Sequence, residues 1–207
     1  MIPFPIKTRS MKFSIVSILA LLAGFALLTS SGLPAEKSGA SPQINWISIQ
    51  DLNEMSQNKK WDKTGKKVFI DLYTDWCGWC KRMDAGTFSD PQVIEYMNKH
   101  FYAVKLNAET REDIVFGKNT FKYIASGRRG TNEIAIALGS VNGSLGYPTI
   151  SVLDESMGKL TVSPGYKTPE RLLPMLMYYA GNHYKTMSME EFQKNVYAPA
   201  KSGTLGD

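Results

Sequence analysis

Cys77 and Cys80, the two cysteines of the chain, stand two residues apart within the stretch DLYTDWCGWCKRM at 71–83. Such a pair can be a haem anchor, half of a zinc site, a structural clip or a redox centre. A haem anchor calls for histidine after the second cysteine, and position 81 is lysine. Zinc needs two further ligands, and His100 and His183, the two histidines, lack ligand-like spacing. They read as ordinary surface or capping residues, and no metal site is expected. A structural disulfide stays open as an alternative, although so short a loop contributes little to stability. The redox reading uses the position of the pair best. A cysteine at the start of a helix faces unpaired backbone N–H groups and the positive end of the macrodipole. That field favours the thiolate of Cys77 and makes it the better nucleophile. Cys80, one helical turn on, can attack a mixed disulfide formed at Cys77. Trp76 and Trp79 add apolar surface suited to a protein thiol partner.

Positioning the pair this way requires a strand before it and a helix after it. Residues 68–73 (VFIDLY) have the uninterrupted apolar character of a buried central strand. Residues 81–86 continue as helix. Upstream, 44–49 alternates as a short edge strand does, and 51–60 reads as a helix capped by Asp51. Downstream, Asp90-Pro91 opens a helix to about Lys99. Strands are expected at 101–106, 149–153 and 159–162, with Met157-Gly158 turning between the last two. Thr168-Pro169-Glu170 starts a helix to about Tyr179 that Pro174 should kink. Ser188 to Glu191 forms a capping box before a short last helix, and the tail past Pro199 is expected to be disordered. This order predicts an α/β fold with a mixed sheet. An extra segment, 111–145, interrupts it. Within it, 115–123 reads as a hairpin about Gly117-Lys118-Asn119, and 131–138 as a helix capped by Thr131 or Asn132. Gly127-Arg128-Arg129-Gly130 reads as a flexible turn, with a docking loop as the alternative.

The first 35 residues have another logic. Lys7, Arg9 and Lys12 precede an uncharged apolar run at 13–28, then small residues at 29–32. Basic, apolar and small segments in that order make a secretory signal peptide, and Met11 is a second candidate start. The run is shorter than the roughly 20 residues of a membrane span. An uncleaved anchor, and with it membrane attachment, is the alternative. Without these residues, 21 basic against 19 acidic side chains remain, a formal +2 instead of +5. The basic balance therefore gives no ground for nucleic-acid binding. Lys59-Lys60 and Lys66-Lys67 read as a solvated face. Export would place the cysteines where disulfides persist. The resulting division is a signal peptide at 1–35, a linker at 36–43, one domain at 44–181 and a C-terminal helix and tail at 182–207. At 207 residues and 43% hydrophobic content, one modest core is expected.

FIDLYTDWCGWCK resembles the active-site segment of thioredoxin-like proteins, in the form found in exported members and thiol–disulfide interchange domains. The resemblance covers about 44–180 apart from the insertion. It implies a thioredoxin-like fold, a central mixed β-sheet flanked by helices, with the insertion placed before the cis-proline strand. It further implies that Asp71, six residues before Cys77, is a buried acid assisting deprotonation of Cys80. Lys105, in Lys105-Leu106-Asn107, takes the place of that acid's partner. Gly146-Tyr147-Pro148-Thr149 matches the turn whose proline is cis and faces the cysteines. In the family the backbone before that proline pairs with the substrate as an added strand, which gives Tyr147 and Pro148 a binding role beside Trp76, Gly78 and Trp79. The intervening dipeptide is Gly78-Trp79 where thioredoxin has Gly-Pro, and the dipeptide tunes thiolate stability.

The expectation is an exported protein-disulfide reductase in which Cys77 attacks, Cys80 resolves and Asp71 takes or relays the proton. Its partners would be protein thiols and disulfides and an electron-donor protein, since the sequence carries no nicotinamide or flavin fingerprint and no cofactor is called for. A disulfide oxidase or isomerase on the same site is one alternative. A thioredoxin-fold binding module without catalysis is the other.

Overall fold

The computed structural model describes residues 41–58 and 62–202. The expected signal peptide at 1–35, most of the linker and Lys59-Lys60 lie outside them. A five-stranded sheet organises the rest. Its strands are β1 (Trp46–Ile47), β2 (Lys67–Tyr73), β3 (Phe101–Asn107), β8 (Thr149–Leu153) and β9 (Lys159–Pro164), in the order β1-β3-β2-β8-β9. β1, β3 and β2 are parallel; β8 runs antiparallel to β2, and β9 to β8. β2 is thus central, as its apolar run requires, and β1 is a two-residue edge.

The period of two along β2 divides the core. Val68, Ile70 and Leu72 point to the face covered by α1 (Ile49–Gln57) and α4 (Glu133–Gly139), against Leu52, Ile134 and Leu138. Phe69 points to the other face, where α2 (Gly78–Ala85), α3 (Pro91–His100) and α5 (Pro169–Ala180) supply Met83, Met97 and Leu176. Phe69 is fully buried and meets Phe88 and Phe101 edge-on. Its burial alone contributes about 2–3 kcal/mol. Lys67 and Asp71 share the parity of Phe69, so both carry charge into this face.

That parity corrects the solvated reading of Lys67. The strand begins there, and the side chain is fully buried, its Nζ 2.7 Å from Glu155 Oε1 and 2.9 Å from Asn182 Oδ1. Lys66, of opposite parity, is half-buried and donates to the Asn98 carbonyl at 2.7 Å. Smaller corrections follow from local chemistry. Ser48, not Asp51, caps α1; Asp51 is the reciprocal partner in the capping box. α5 holds Pro174 inside it, as expected, and ends at Ala180. Beyond α6 (Met189–Phe192) and a π-helical turn, α7 (Ala198–Ser202) continues where disorder is expected. Pro199 stands in its first turn, where a missing N–H matters little.

The insertion contains two hairpins. β4 (Ile114–Phe116) pairs with β5 (Asn119–Phe121) across Gly117-Lys118. A second, β6 (Tyr123–Ser126) with β7 (Arg129–Asn132), turns at Gly127-Arg128. Gly127 adopts φ +58°, the left-handed backbone that favours glycine in such a two-residue turn. The GRRG stretch is therefore half turn and half strand. Asn132 caps α4 and is wholly buried; its Nδ2 donates to the carbonyls of Thr110 and Glu112.

Candidate functional site

β2 ends at Tyr73, and a short turn delivers Cys77 to the N-cap of α2. The turn is held by Cys77 N–H donating to the Thr74 carbonyl at 3.1 Å. Cys77 Sγ in turn accepts from the Cys80 backbone N–H at 3.1 Å. The sulfur thus occupies the position where a helix start favours negative charge. Cys77 and Cys80 are joined as a disulfide, and both are buried. Gly78 is exposed as the first residue of α2.

A chain of three charges joins β2 and β3 to α2, the helix that carries Cys80. The register of β2 on β3 sets Asp71 directly beside Lys105. Lys105 Nζ stands 3.1 Å from Asp71 Oδ2 and also donates to Asp84 Oδ1. Asp84 follows Cys80 by four residues on α2, so the two share one helix face. Asp71 is 1% exposed, and its Oδ1 has no hydrogen-bond partner. Burial pushes its carboxyl up to about 6, with Lys105 opposing and Asp84 reinforcing the rise. Burial pushes Lys105 down, but Asp71 and Asp84 outweigh it and hold the ammonium above its ordinary value. The ammonium is further enclosed by the rings of Tyr73, Trp46 and Phe88 at 5.0, 5.2 and 5.5 Å. Asp84 is absent from the sequence reading. Its position four residues after the second cysteine is the signal that could have found it.

Around the sulfurs runs an exposed aromatic rim. Trp76 and Trp79 are 49% and 54% exposed. Trp79 leans on Tyr166 at 5.4 Å and carries the Arg82 guanidinium 5.0 Å from its ring. Trp76 meets Tyr147 edge-on at 5.9 Å. The Tyr147–Pro148 peptide is cis, and Pro148 is buried. The second hairpin enters here: Arg129 lies 4.2 Å above the Trp76 ring, and Thr131 is close enough to the Tyr147 phenol to oppose the upward push that burial gives it. The sequence-expected residues thus fall into two groups, Asp71 with Lys105 on neighbouring sheet strands and Trp76 with Tyr147 at the rim. Trp79 stands apart on its own flank. Among the described residues, no His, Cys, Asp or Glu cluster has the makings of a metal site.

Residues 56–180, which hold the strand-to-helix Cys-x-x-Cys and most of the sheet, match the thioredoxin-like domain family. The chain belongs to that family. Its thioredoxin-like domain is of the disulfide-oxidoreductase type, and local sequence similarity points the same way. The chain is 45% identical over 57 residues to the thiol:disulfide interchange protein DsbD of Haemophilus ducreyi, a stretch covering 28% of this chain and 10% of that protein. With DsbD of Escherichia coli K12 it is 46% identical over 50 residues, 24% of this chain and 9% of that protein. The matches thus span about a tenth of these curated relatives. Among solved structures, a thioredoxin-fold protein from Helicobacter pylori is similar at 19% identity over 68% of this chain and 85% of that one, with a TM-score of 0.48. The oxidised C-terminal domain of Neisseria meningitidis DsbD is similar at 20% identity, 62% and 95% coverage and a TM-score of 0.37.

Proposed function

We propose that the protein is an exported protein-disulfide reductase working through Cys77 and Cys80. The observation that carries this reading is the buried, incompletely partnered Asp71, raised to about 6 and linked through Lys105 to the helix face of Cys80. In the reduced enzyme, the Cys77 thiolate attacks a substrate disulfide. One substrate sulfur joins Cys77 in a mixed disulfide, and the other leaves as a thiolate that takes a proton. Cys80 then gives its proton to Asp71 and attacks Cys77 Sγ. The Cys77–Cys80 disulfide forms, and the second substrate sulfur departs as a thiolate that takes a proton from solvent, so the substrate has gained two electrons from the enzyme and two protons from solvent. A donor dithiol reverses these steps on the enzyme, and Asp71 then returns the proton to Cys80.

A carboxyl titrating near neutrality suits both directions, because it neither holds nor refuses a proton strongly. Lys105 and Asp84 act as positioning residues: the ammonium supports the ionised form of Asp71, and Asp84 opposes it. Trp76, Trp79 and Tyr147 supply the apolar contact surface for a polypeptide. The reading of export rests on the basic, apolar and small succession at 1–35. Among the described residues, no helix is long and apolar enough to cross a membrane. The direct test is insulin reduction with a small dithiol as electron donor. Wild type should accelerate precipitation of the insulin chains, and a rate no greater than that of Cys77→Ser would contradict the proposal. Trapping with Cys80→Ser should hold substrates on Cys77 as mixed disulfides.

A further inference from the structure

The geometry points to the β6–β7 hairpin as a substrate-selecting wall: Arg129, with Arg128 at the turn, favours polypeptides carrying carboxylates next to the disulfide to be reduced. This rests on the reductase reading above and adds the chemical class of its substrate.

The cross-strand pairs of the hairpin sort its side chains onto two faces. Ile124 stands opposite Thr131 and Ser126 opposite Arg129, so these four share one face. On this face Arg129 reaches Trp76, which meets Tyr147 edge-on, and Thr131 is close enough to Tyr147 to influence its phenol. Ile124 stays 48% exposed beside them. The opposite face explains why the hairpin holds its shape. There Tyr123 lies across Gly130; a Cβ on Gly130 would stand 2.4 Å from the Tyr123 ring and 2.3 Å from the Ile124 carbonyl oxygen. Arg111 covers the Tyr123 ring at 5.3 Å. At the base, Asn132 N–H donates to the Ala108 carbonyl at 2.8 Å, and Glu133 N–H to that of Lys122 at 2.9 Å. The scaffold therefore presents Arg129 in place before any substrate arrives, which reduces the ordering entropy lost on binding.

Among the described residues, the ion pairs within 4.0 Å involve Lys67 and Lys105, and none involves Arg128 or Arg129. Asp75 accepts from Asn107 Nδ2 at 3.1 Å, and Glu109 is the carboxylate near this wall, close enough to Tyr147 to reinforce the upward push that burial gives its phenol. Stacking on Trp76 leaves the edge of the Arg129 guanidinium, with its fork of N–H donors, available to a carboxylate. An acidic residue beside a substrate cysteine would meet this fork as the substrate sulfur approaches Cys77. Arg128, exposed at the turn, extends the same field outward.

The test compares three disulfide-bridged peptides differing only beside one cysteine, where they carry two Asp, two Asn or two Lys. Initial reduction rates are measured with dithiothreitol recycling the enzyme, and the Cys77→Ser rate is subtracted. Wild type should reduce the Asp peptide about fivefold faster than the Asn peptide at low salt, and the Lys peptide most slowly, given the usual strength of exposed charge pairs. The preference should shrink at 0.5 M salt. In Arg128→Gln/Arg129→Gln the Asp-to-Asn ratio should fall to about one, whereas Arg129→Lys should retain part of it. Because the readout is a ratio, a general loss of packing at Trp76 cancels. Equal wild-type rates on all three peptides, or a ratio unchanged in the double variant, would overturn the selecting role and leave the reductase reading standing. No reduction of any peptide above Cys77→Ser would overturn both.

Discussion

Strand β2 buries an ionisable side chain near each of its ends, and the two are treated differently. At the start, Lys67 is fully partnered: Glu155, Asn182 and the ring of Tyr184, 5.6 Å from Nζ, surround it. Burial pushes the Glu155 carboxyl up, but the hydrogen bond and charge of Lys67 outweigh this and hold it below its ordinary value. The Glu155 carboxylate therefore stays charged across the physiological range. At the far end, Asp71 shares its one cation with Asp84, keeps an unpartnered oxygen and titrates near 6. The same strand, face and parity thus hold one clamp and one proton site. Complete partnering fixes a charge; incomplete partnering leaves it free to change.

Four substitutions or titrations should separate the two ends. The largest effect is expected for Asp71→Asn, which keeps the shape and removes the proton acceptor. Insulin reduction at pH 7 should fall about a hundredfold, the usual contribution of a positioned acid–base group. Next is stability against pH. The folded-state value of Asp71 lies above its unfolded value of 3.8, so between about pH 4 and 6 the folded state binds more protons. Stability should therefore fall as pH rises through that window, by about 2–3 kcal/mol from this group. Urea titrations should show the slope in wild type and its absence in Asp71→Asn.

Lys67→Met should do the reverse of Asp71→Asn. With Glu155 and Asn182 deprived of their donor, unfolding free energy should drop by about 2 kcal/mol, less than for a wholly buried pair because Glu155 reaches solvent. The reduction rate of the folded protein should stay within about twofold of wild type. A larger kinetic loss would mean the two ends are not separate. The smallest effect belongs to Asp84→Asn. Losing a carboxylate that opposes ionisation of Asp71 should move the pH dependence of reduction to lower pH and change the pH 7 rate by about threefold or less.

These contrasts also show what the amino-acid order reveals. The redox reading of Cys77 and Cys80 is legible because a central strand runs into a helix there, Asp71 comes only through the resemblance of the segment to thioredoxin-like proteins, and the mixed sheet follows from the alternation of elements. Lys67 misleads because a lysine beside another lysine resembles a strand approach, and strand parity is known only once the first residue of the strand is known. Asp84 is hidden by distance from the motif, although helical spacing from Cys80 places it on the right face. The second hairpin is the largest omission. Its strands are four residues each and mostly polar, so their alternation is weak, and the stacking of Arg129 on Trp76 is a tertiary contact that no local pattern contains.

The central claim is that Asp71 moves the proton of Cys80, and opening of the Cys77–Cys80 disulfide tests it most directly. The disulfide state is the one in which Asp71 titrates near 6, and in the proposed mechanism the departing Cys80 sulfur takes its proton from it. The rate constant for reduction by dithiothreitol should be measured from pH 4.5 to 8 in wild type and Asp71→Asn, where the ionisation of the reagent cancels in the ratio. The account predicts a wild-type advantage that is large below pH 6 and declines through it as Asp71 loses its proton. A ratio that stays flat across the range would contradict it.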